Sequence, residues 1–195
     1  MNIPHQHQPV IVVPPPTLRG ALVILKPTEI SDAGFLHSMF ADPVFAFSVG
    51  LEPAGGLAQF THLLALNLPQ SSMGLIAYKW TVFSLDTNKP VGWVELSLNG
   101  DWGVSYGIHP AQHRHGYAAE ALPLVLQFAF HVKKLHRITA EVSPSNLASL
   151  GLLERFGFEA EGIMRDRQFW SGEYRNMKLL SLLRPDYERR FVLAQ

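Results

Sequence analysis

Three apolar runs, GLIAYKWTVFSL, VGWVELSL and WGVSYGIH, follow one another with only the turns DTNKP and NGD between them. Connections that short join antiparallel neighbours, because a parallel return needs a crossover of roughly a dozen residues or more. The turn chemistry agrees: Asp86-Thr87-Asn88-Lys89 reads as a hairpin loop and Asn99-Gly100-Asp101 as a second turn. The middle of the chain is therefore expected to be an antiparallel meander, stopped by Pro110.

After Gly116 the period changes. Ala118, Leu122, Val125, Ala129 and Val132 recur at three- and four-residue steps, which marks an amphipathic helix. Pro123 lies beyond its first turn and is expected to kink it. HRITAEV (His136 to Val142) reads as a strand and Asn146 to Arg155 as a helix, with Gly157 as its C-terminal stop. Two strands, roughly Phe158 to Arg165 and Tyr174 to Leu183, close the pattern. Ahead of the meander, ALVILKP reads as a strand ending at Pro27. Ser31 or Asp32 can cap a helix from about Ala33 to Phe40, which Asp42-Pro43 breaks. Gly55-Gly56 opens another from about Leu57 to Leu68, ended by Pro69. The order predicts a mixed α+β fold, without internal repeats.

A chain of 195 residues is one domain's worth, and with 47% of its residues apolar it can form a single core. Residues 1–17 read as an extended, proline-rich arm, residues 18–186 as the domain and 187–195 as a C-terminal tail. His5 and His7 offer weak metal ligands or, more simply, belong to a solvated tail. Lys plus Arg and Asp plus Glu stand at 16 each, so nothing points to nucleic acid as a direct partner. The absence of cysteine removes disulfides and thiolate nucleophiles together. No secretory signal is visible at the N-terminus. The longest apolar helix, from Ala121 to Val132, falls short of the roughly 20 residues a bilayer requires. The expectation is a protein without membrane contact, located in the cytoplasm.

One segment runs from strand through HPAQHRHGYAAEAL into helix. Such a loop aims free backbone N–H groups outward at the positive end of a helix dipole, which makes an anion site. Gly116 has no Cβ to obstruct an approaching phosphate, and Arg114 and His115 can add charge or hydrogen bonds. The natural ligand is a pyrophosphate, although an ordinary turn explains the same residues. The segment is neither a P-loop, lacking Gly-Lys-Ser/Thr, nor a dinucleotide fingerprint, lacking two of three glycines. A second segment, TAEVSPSNLASLGLLERFGFEAEG, puts Asn146 and Ser149 on one face of a helix start. The plain alternative is an N-cap and a small surface residue.

Taken together, HGYAAEAL, NLASLGLLERFGF and the EG that follows resemble the GNAT acetyltransferases. Within them the chain is most similar to the RimJ/RimL-like branch, which acetylates the N-termini of ribosomal proteins. LRGALVILKP, DAGFLHSMFADP, VGWVEL, SYGIHP and a last strand ending in LLRP extend the resemblance over about residues 18–185. It implies the GNAT fold: a central, largely antiparallel twisted sheet flanked by helices on both faces. It also implies acetyl-CoA as co-substrate, an amine acceptor as second partner, and a homodimer as the assembly to expect. The loop His113, Arg114, His115, Gly116, Tyr117 and Ala118 would hold the CoA pyrophosphate. The strand ending at Ile108 would pair with the pantetheine arm, Asn146 would hydrogen-bond that arm, and Ser149 would donate to the leaving thiolate. The chain departs from the pattern at His113, Arg114, Ser105 and Asn176, where Gln or Arg, Gly, Gly and Asp are frequent.

An amine must be neutral to attack a thioester. An α-amino group, with a pKa near 8, is about a tenth neutral at pH 7, so even a weak base working through water helps. Glu95, on the strand before the CoA-binding strand, is the candidate base. Glu141 is the second choice, and an ordinary exposed strand glutamate is the plain reading. The N–H groups near Ile108 are candidates for holding the oxyanion. His109, His113 and His115 invite a metal reading, but no Cys or carboxylate accompanies them and a phosphate loop explains them, so no metal is expected. Trp93, Trp102, Phe169 and Trp170 either shape an acceptor pocket or serve as core and rim aromatics. In the GNAT enzymes the hairpin that WSGEYRN occupies often borders the acceptor site or a dimer contact. The expected activity is acetyl-CoA-dependent N-acetyl transfer to a primary amine by direct attack in a ternary complex. The competing readings are a catalytically degenerate acyl-CoA sensor and a nucleotide-binding protein without acyl chemistry.

Overall fold

Residues 14–68 and 77–191 are described by the computed structural model. His5 and His7, Pro69, the start of GLIAYKW and the last residues of the chain lie outside the described residues. The meander forms as the turns dictate: β3 (Ala77–Ser84), β4 (Pro90–Asn99) and β5 (Asp101–Ile108) pair antiparallel, with Lys79 opposite Glu95 and Glu95 opposite Ser105. Alternation then sorts the side chains. Tyr78, Trp80, Val82, Val94, Leu96 and Val104 are buried in one core. α4 (Tyr117–Gln127) packs there through Leu122, Val125 and Leu126. The helix runs through Pro123, which lacks the N–H that would bond back to Ala119. Its α-helical part ends at Gln127 and widens into a π-type turn over Phe128–Val132, where Lys133 N–H donates to the Phe128 carbonyl at 2.9 Å.

The residues that alternate with these, Lys79, Thr81, Trp93 and Glu95, face α1 (Ala33–Phe40), α2 (Pro43–Ser48) and α3 (Leu57–Asn67). Phe40 sets its ring 5.5 Å from Trp93, and Thr81 Oγ1 donates to Asp32 Oδ2 at 2.7 Å. Asp32 does not cap α1 as the sequence suggests. A 3₁₀ turn over Ile30–Asp32 precedes the helix, and Asp32 reaches back to accept from the Glu29 N–H at 3.0 Å.

Eight strands make one sheet in the order β1-β2-β3-β4-β5-β6-β8-β7, with β1 (Leu18–Arg19), β2 (Val23–Pro27), β6 (Arg137–Val142), β7 (Glu159–Trp170) and β8 (Glu173–Leu183). Every neighbouring pair is antiparallel except β5 and β6. α5 (Leu147–Arg155) carries the chain from β6 to β7 and stops where the sequence indicates. Gly157 takes φ 88°, and the N–H groups of Phe158 and Gly157 donate to the carbonyls of Leu153 and Glu154, each at 3.0 Å.

Two helices escape the sequence reading for one reason. Pro43 and Pro185, taken as stops, sit in first turns, where the missing N–H costs nothing. Asp42 caps α2 by accepting from the Phe45 N–H at 3.0 Å. α6 (Arg184–Phe191) overturns the expected tail from 187: Tyr187 is buried and stacks on Phe130 at 4.8 Å, so the core continues beyond residue 186. At the other end Pro15 is buried, and the Pro16 carbonyl accepts from Trp80 Nε1 at 2.8 Å, fastening the foot of the arm to the core. Among the described residues no helix is long and apolar enough to cross a membrane.

Candidate active site

The parallel pair β5–β6 holds together at one register point, Gly103 opposite Thr139. Beyond it lies a cavity of about 270 Å³, with Val104, Ser105 and Tyr106 on one side and Ala140, Glu141 and Val142 on the other. The backbone facing this seam follows from the hydrogen bonds of β4. His109 N–H donates to the Val91 carbonyl at 2.8 Å, so the alternate residues Tyr106 and Ile108 turn their backbone groups to the opposite edge, toward β6. The Ile108 carbonyl is already engaged there by His113 Nε2 at 2.9 Å. What Ile108 offers the seam is its N–H.

At the end of β5 the chain makes a 3₁₀ turn over Pro110–Gln112 and enters α4 through the expected loop. Arg114 (φ 66°) and Gly116 (φ 81°) both take left-handed conformations. Such a backbone curls successive N–H groups into an anion-binding concavity. No side chain caps α4, so the first-turn N–H groups of Tyr117 and Ala118 are unclaimed among the described residues. The two expected histidines shape the loop: His113 engages the Ile108 carbonyl, and His115 Nδ1 bonds the His113 carbonyl at 2.9 Å while its ring stacks on Tyr117. Arg114 is exposed and has no partner among the described residues. A Cβ on Gly116 would meet only Leu22, at an ordinary 3.7 Å, so positive φ and not crowding is what demands glycine there.

Asn146 is the N-cap of α5. Its Oδ1 accepts from the Ser149 N–H at 3.1 Å and its Nδ2 donates to the Ser48 carbonyl at 3.1 Å. Its plain role is thus realised, and it also ties α5 to α2 across the cavity. Ser149 Oγ, half-buried on the same wall, has no hydrogen bond among the described residues. Tyr106 reaches over the seam from β5, its hydroxyl 3.4 Å from the Ser149 carbonyl. Burial pushes this phenol up to about 12, and the hydrogen bond with Ser149 offsets only part of that rise. Sequence reasoning passed over Tyr106 as one more strand aromatic. The available signal was its two-residue spacing from Val104, which puts both on the α4 side of β5.

Glu95 lies on the opposite face of the sheet and lines the same cavity. Its Oε2 accepts from Lys79 Nζ at 2.6 Å, and Oε1 has no partner among the described residues. A second cavity of about 380 Å³ opens beside it between β4 and the helices α1 and α3, and the two share Leu51, Trp93 and Glu95. Trp93 Nε1 itself is buried beside Gly107 of β5, without a hydrogen-bond partner among the described residues. The second-choice base, Glu141, is taken up by Arg167 through two contacts of 2.9 Å. Of the four aromatics singled out in the sequence, only Trp93 lines these cavities. Trp102 stacks on Tyr78, Trp170 is buried, and Phe169 packs against Tyr174 on the β7–β8 hairpin. Asn176 holds an irregular stretch of that hairpin, its Oδ1 accepting from the Asp166 N–H at 2.9 Å.

The sheet is thus opened along one parallel seam, with a loop leading into unclaimed helix N–H groups at its end and a carboxylate on its wall. Residues 23–159 match the acetyltransferase (GNAT) domain, and the chain belongs to that family. It is 35% identical over 118 residues to the probable N-acetyltransferase YjcK of Bacillus subtilis, covering 57% of this chain and 65% of that protein. It is 33% identical over 116 residues to the [ribosomal protein uS5]-alanine N-acetyltransferase of Escherichia coli, covering 57% of this chain and 60% of that one, a likeness consistent with the RimJ/RimL-like branch. The matched stretch is thus just under two thirds of the length of these two relatives. The fold is shared with the spermidine N-acetyltransferase of Vibrio cholerae, solved in complex with CoA and spermine: TM-score 0.75, 21% identity, 85% of this chain and 98% of that one. The protein is accordingly an acyltransferase, and acetyl-CoA is the co-substrate of its family.

Proposed function

We propose that this chain moves an acetyl group from acetyl-CoA to a primary amine by direct attack in a ternary complex, the amine being a protein N-terminal α-amine or that of a small molecule. One observation carries the reading: Glu95 stands on the wall common to the two cavities, where a co-substrate in the seam and an acceptor beside β4 would meet. Acetyl-CoA supplies the activated thioester. The loop of Arg114, His115, Gly116, Tyr117 and Ala118 suits its pyrophosphate, with the free N–H groups of α4 and the unpaired Arg114 as donors.

The remaining work falls to side chains already in place. Glu95 Oε1 takes the proton that the amine sheds as its nitrogen bonds to carbon, while Lys79 fixes the carboxylate through Oε2. The Ile108 N–H, turned to the seam, is placed to meet the acyl oxygen. As the carbon–sulfur bond breaks, the Ser149 hydroxyl and the Tyr106 phenol, which keeps its proton at any ordinary pH, are the O–H groups nearest to receive the thiolate. Calorimetric titration with acetyl-CoA tests the first half of the reading. Saturable binding is expected, and Gly116→Trp should abolish it, because an L-residue at φ 81° is strained whatever the space around it. No binding by the unaltered protein would remove the acetyl-transfer reading.

A further inference from the structure

We infer that the acceptor is a singly charged primary amine on a large apolar body, as in an N-terminal residue with a bulky apolar side chain. This deepens the acetyl-transfer reading and rests on it. The chamber beside β4, at about 380 Å³, is the size of a small-molecule pocket. Its wall is mostly apolar, with Leu36, Phe40, Phe60, Leu64 and Trp93 among the residues that line it. Two carboxylates reach it: Glu95, whose Oε2 accepts from Lys79 Nζ at 2.6 Å, and Glu52, whose Oε1 accepts from the Ser171 N–H on the β7–β8 turn.

A polyamine brings two or more ammonium groups, each of which must be paired once it leaves water. The described lining residues include only two acids, Glu95 and the exposed Glu52, and the cation Lys79 offsets the first. An apolar body loses nothing in such a chamber and gains by leaving water. Glu95, at the junction of the two cavities, places the amine at the seam and leaves the rest of the molecule to the chamber.

The test compares phenylalaninamide, alaninamide and spermidine as acceptors at one fixed acetyl-CoA concentration. Phenylalaninamide should lead both in kcat/KM by about tenfold or more. In Leu64→Glu that lead should shrink at least threefold through KM, while calorimetric affinity for acetyl-CoA stays put. Equal or better use of alaninamide or spermidine would overturn the inference and leave acetyl transfer standing. Binding of acetyl-CoA with no transfer to any of the three would overturn the acetyl-transfer reading, and the inference with it.

Discussion

The seam and the chamber meet at Glu95 but are built by different means. The seam is a product of topology. β5 and β6 run parallel, touch at Gly103 and Thr139, and leave backbone groups and the capped start of α5 to line what lies beyond. The chamber is a product of side chains, with Phe40 laid against Trp93 and Phe60 against Phe40 over one face of β4. A surface made of backbone recognises a shape that does not depend on residue identity, which suits a co-substrate common to a whole family. A surface made of side chains changes with each substitution, which suits an acceptor that differs from one member to the next.

The sharpest way to break that comparison is to remove the group both cavities share. Glu95→Gln should lower kcat by about a hundredfold at pH 7. If its role is to take a proton, the loss should narrow toward pH 9, where an α-amine is largely neutral without help. A deficit that stays constant with pH would reduce Glu95 to a structural partner of Lys79. Next in size, Tyr106→Phe should lower kcat about tenfold with little change in KM for acetyl-CoA, as loss of one transition-state donor does. Because burial holds this phenol up to about 12, the pH–rate profile of the parent should show no descending limb from it below pH 11. Ser149→Ala should cost a few-fold in turnover without abolishing it, since a thiolate leaving group with a pKa near 8.5 needs only partial assistance. Full kcat in that variant would take Ser149 out of the mechanism.

The smallest effect lies away from both cavities. Glu161 is held down to about 2 by hydrogen bonds from Arg137 and then Ser181, against an ordinary value of 4.5. A carboxylate lowered in the folded state stabilises fully above its unfolded value and loses that contribution as pH falls through its folded one. The group is exposed and screened, so Glu161→Gln should lower Tm by only about 2 °C at pH 7. The gap should close as pH falls from 4.5 toward 2.

Much of this architecture is legible in residue order. The meander follows from DTNKP and NGD, the loop from HRHGY at a change of period, and the stop of α5 from Gly157. α2 and α6 were not legible, because Pro43 and Pro185 each read as an end when each was a beginning. The seam was out of reach as well. Nothing local in WGVSYGIH or HRITAEV says that these strands meet at a single point, since that depends on the handed crossover through α4. The Lys79–Glu95 pair likewise required the register of β3 on β4, and with it came the finding that the candidate base has a cation for a neighbour. That His113 and His115 bond carbonyls of their own loop was out of reach too, because a sequence shows which groups can donate and not which carbonyls lie closest.

The single register point between β5 and β6 gives the molecule something globular proteins usually keep at their rim: an open strand edge, here in the interior. Edges seek partners. Whatever lies along this one with amide groups of its own adds strand pairing between two antiparallel blocks, β1–β5 and β6–β8–β7, whose strands the chain itself pairs at one register point. The occupant then becomes part of the framework, and its affinity adds to the free energy of unfolding in proportion to the logarithm of its concentration. The melting temperature of this protein should therefore report how much of it is carrying co-substrate, and amide exchange along Tyr106 and Ile108 should slow before that of any other strand in the sheet.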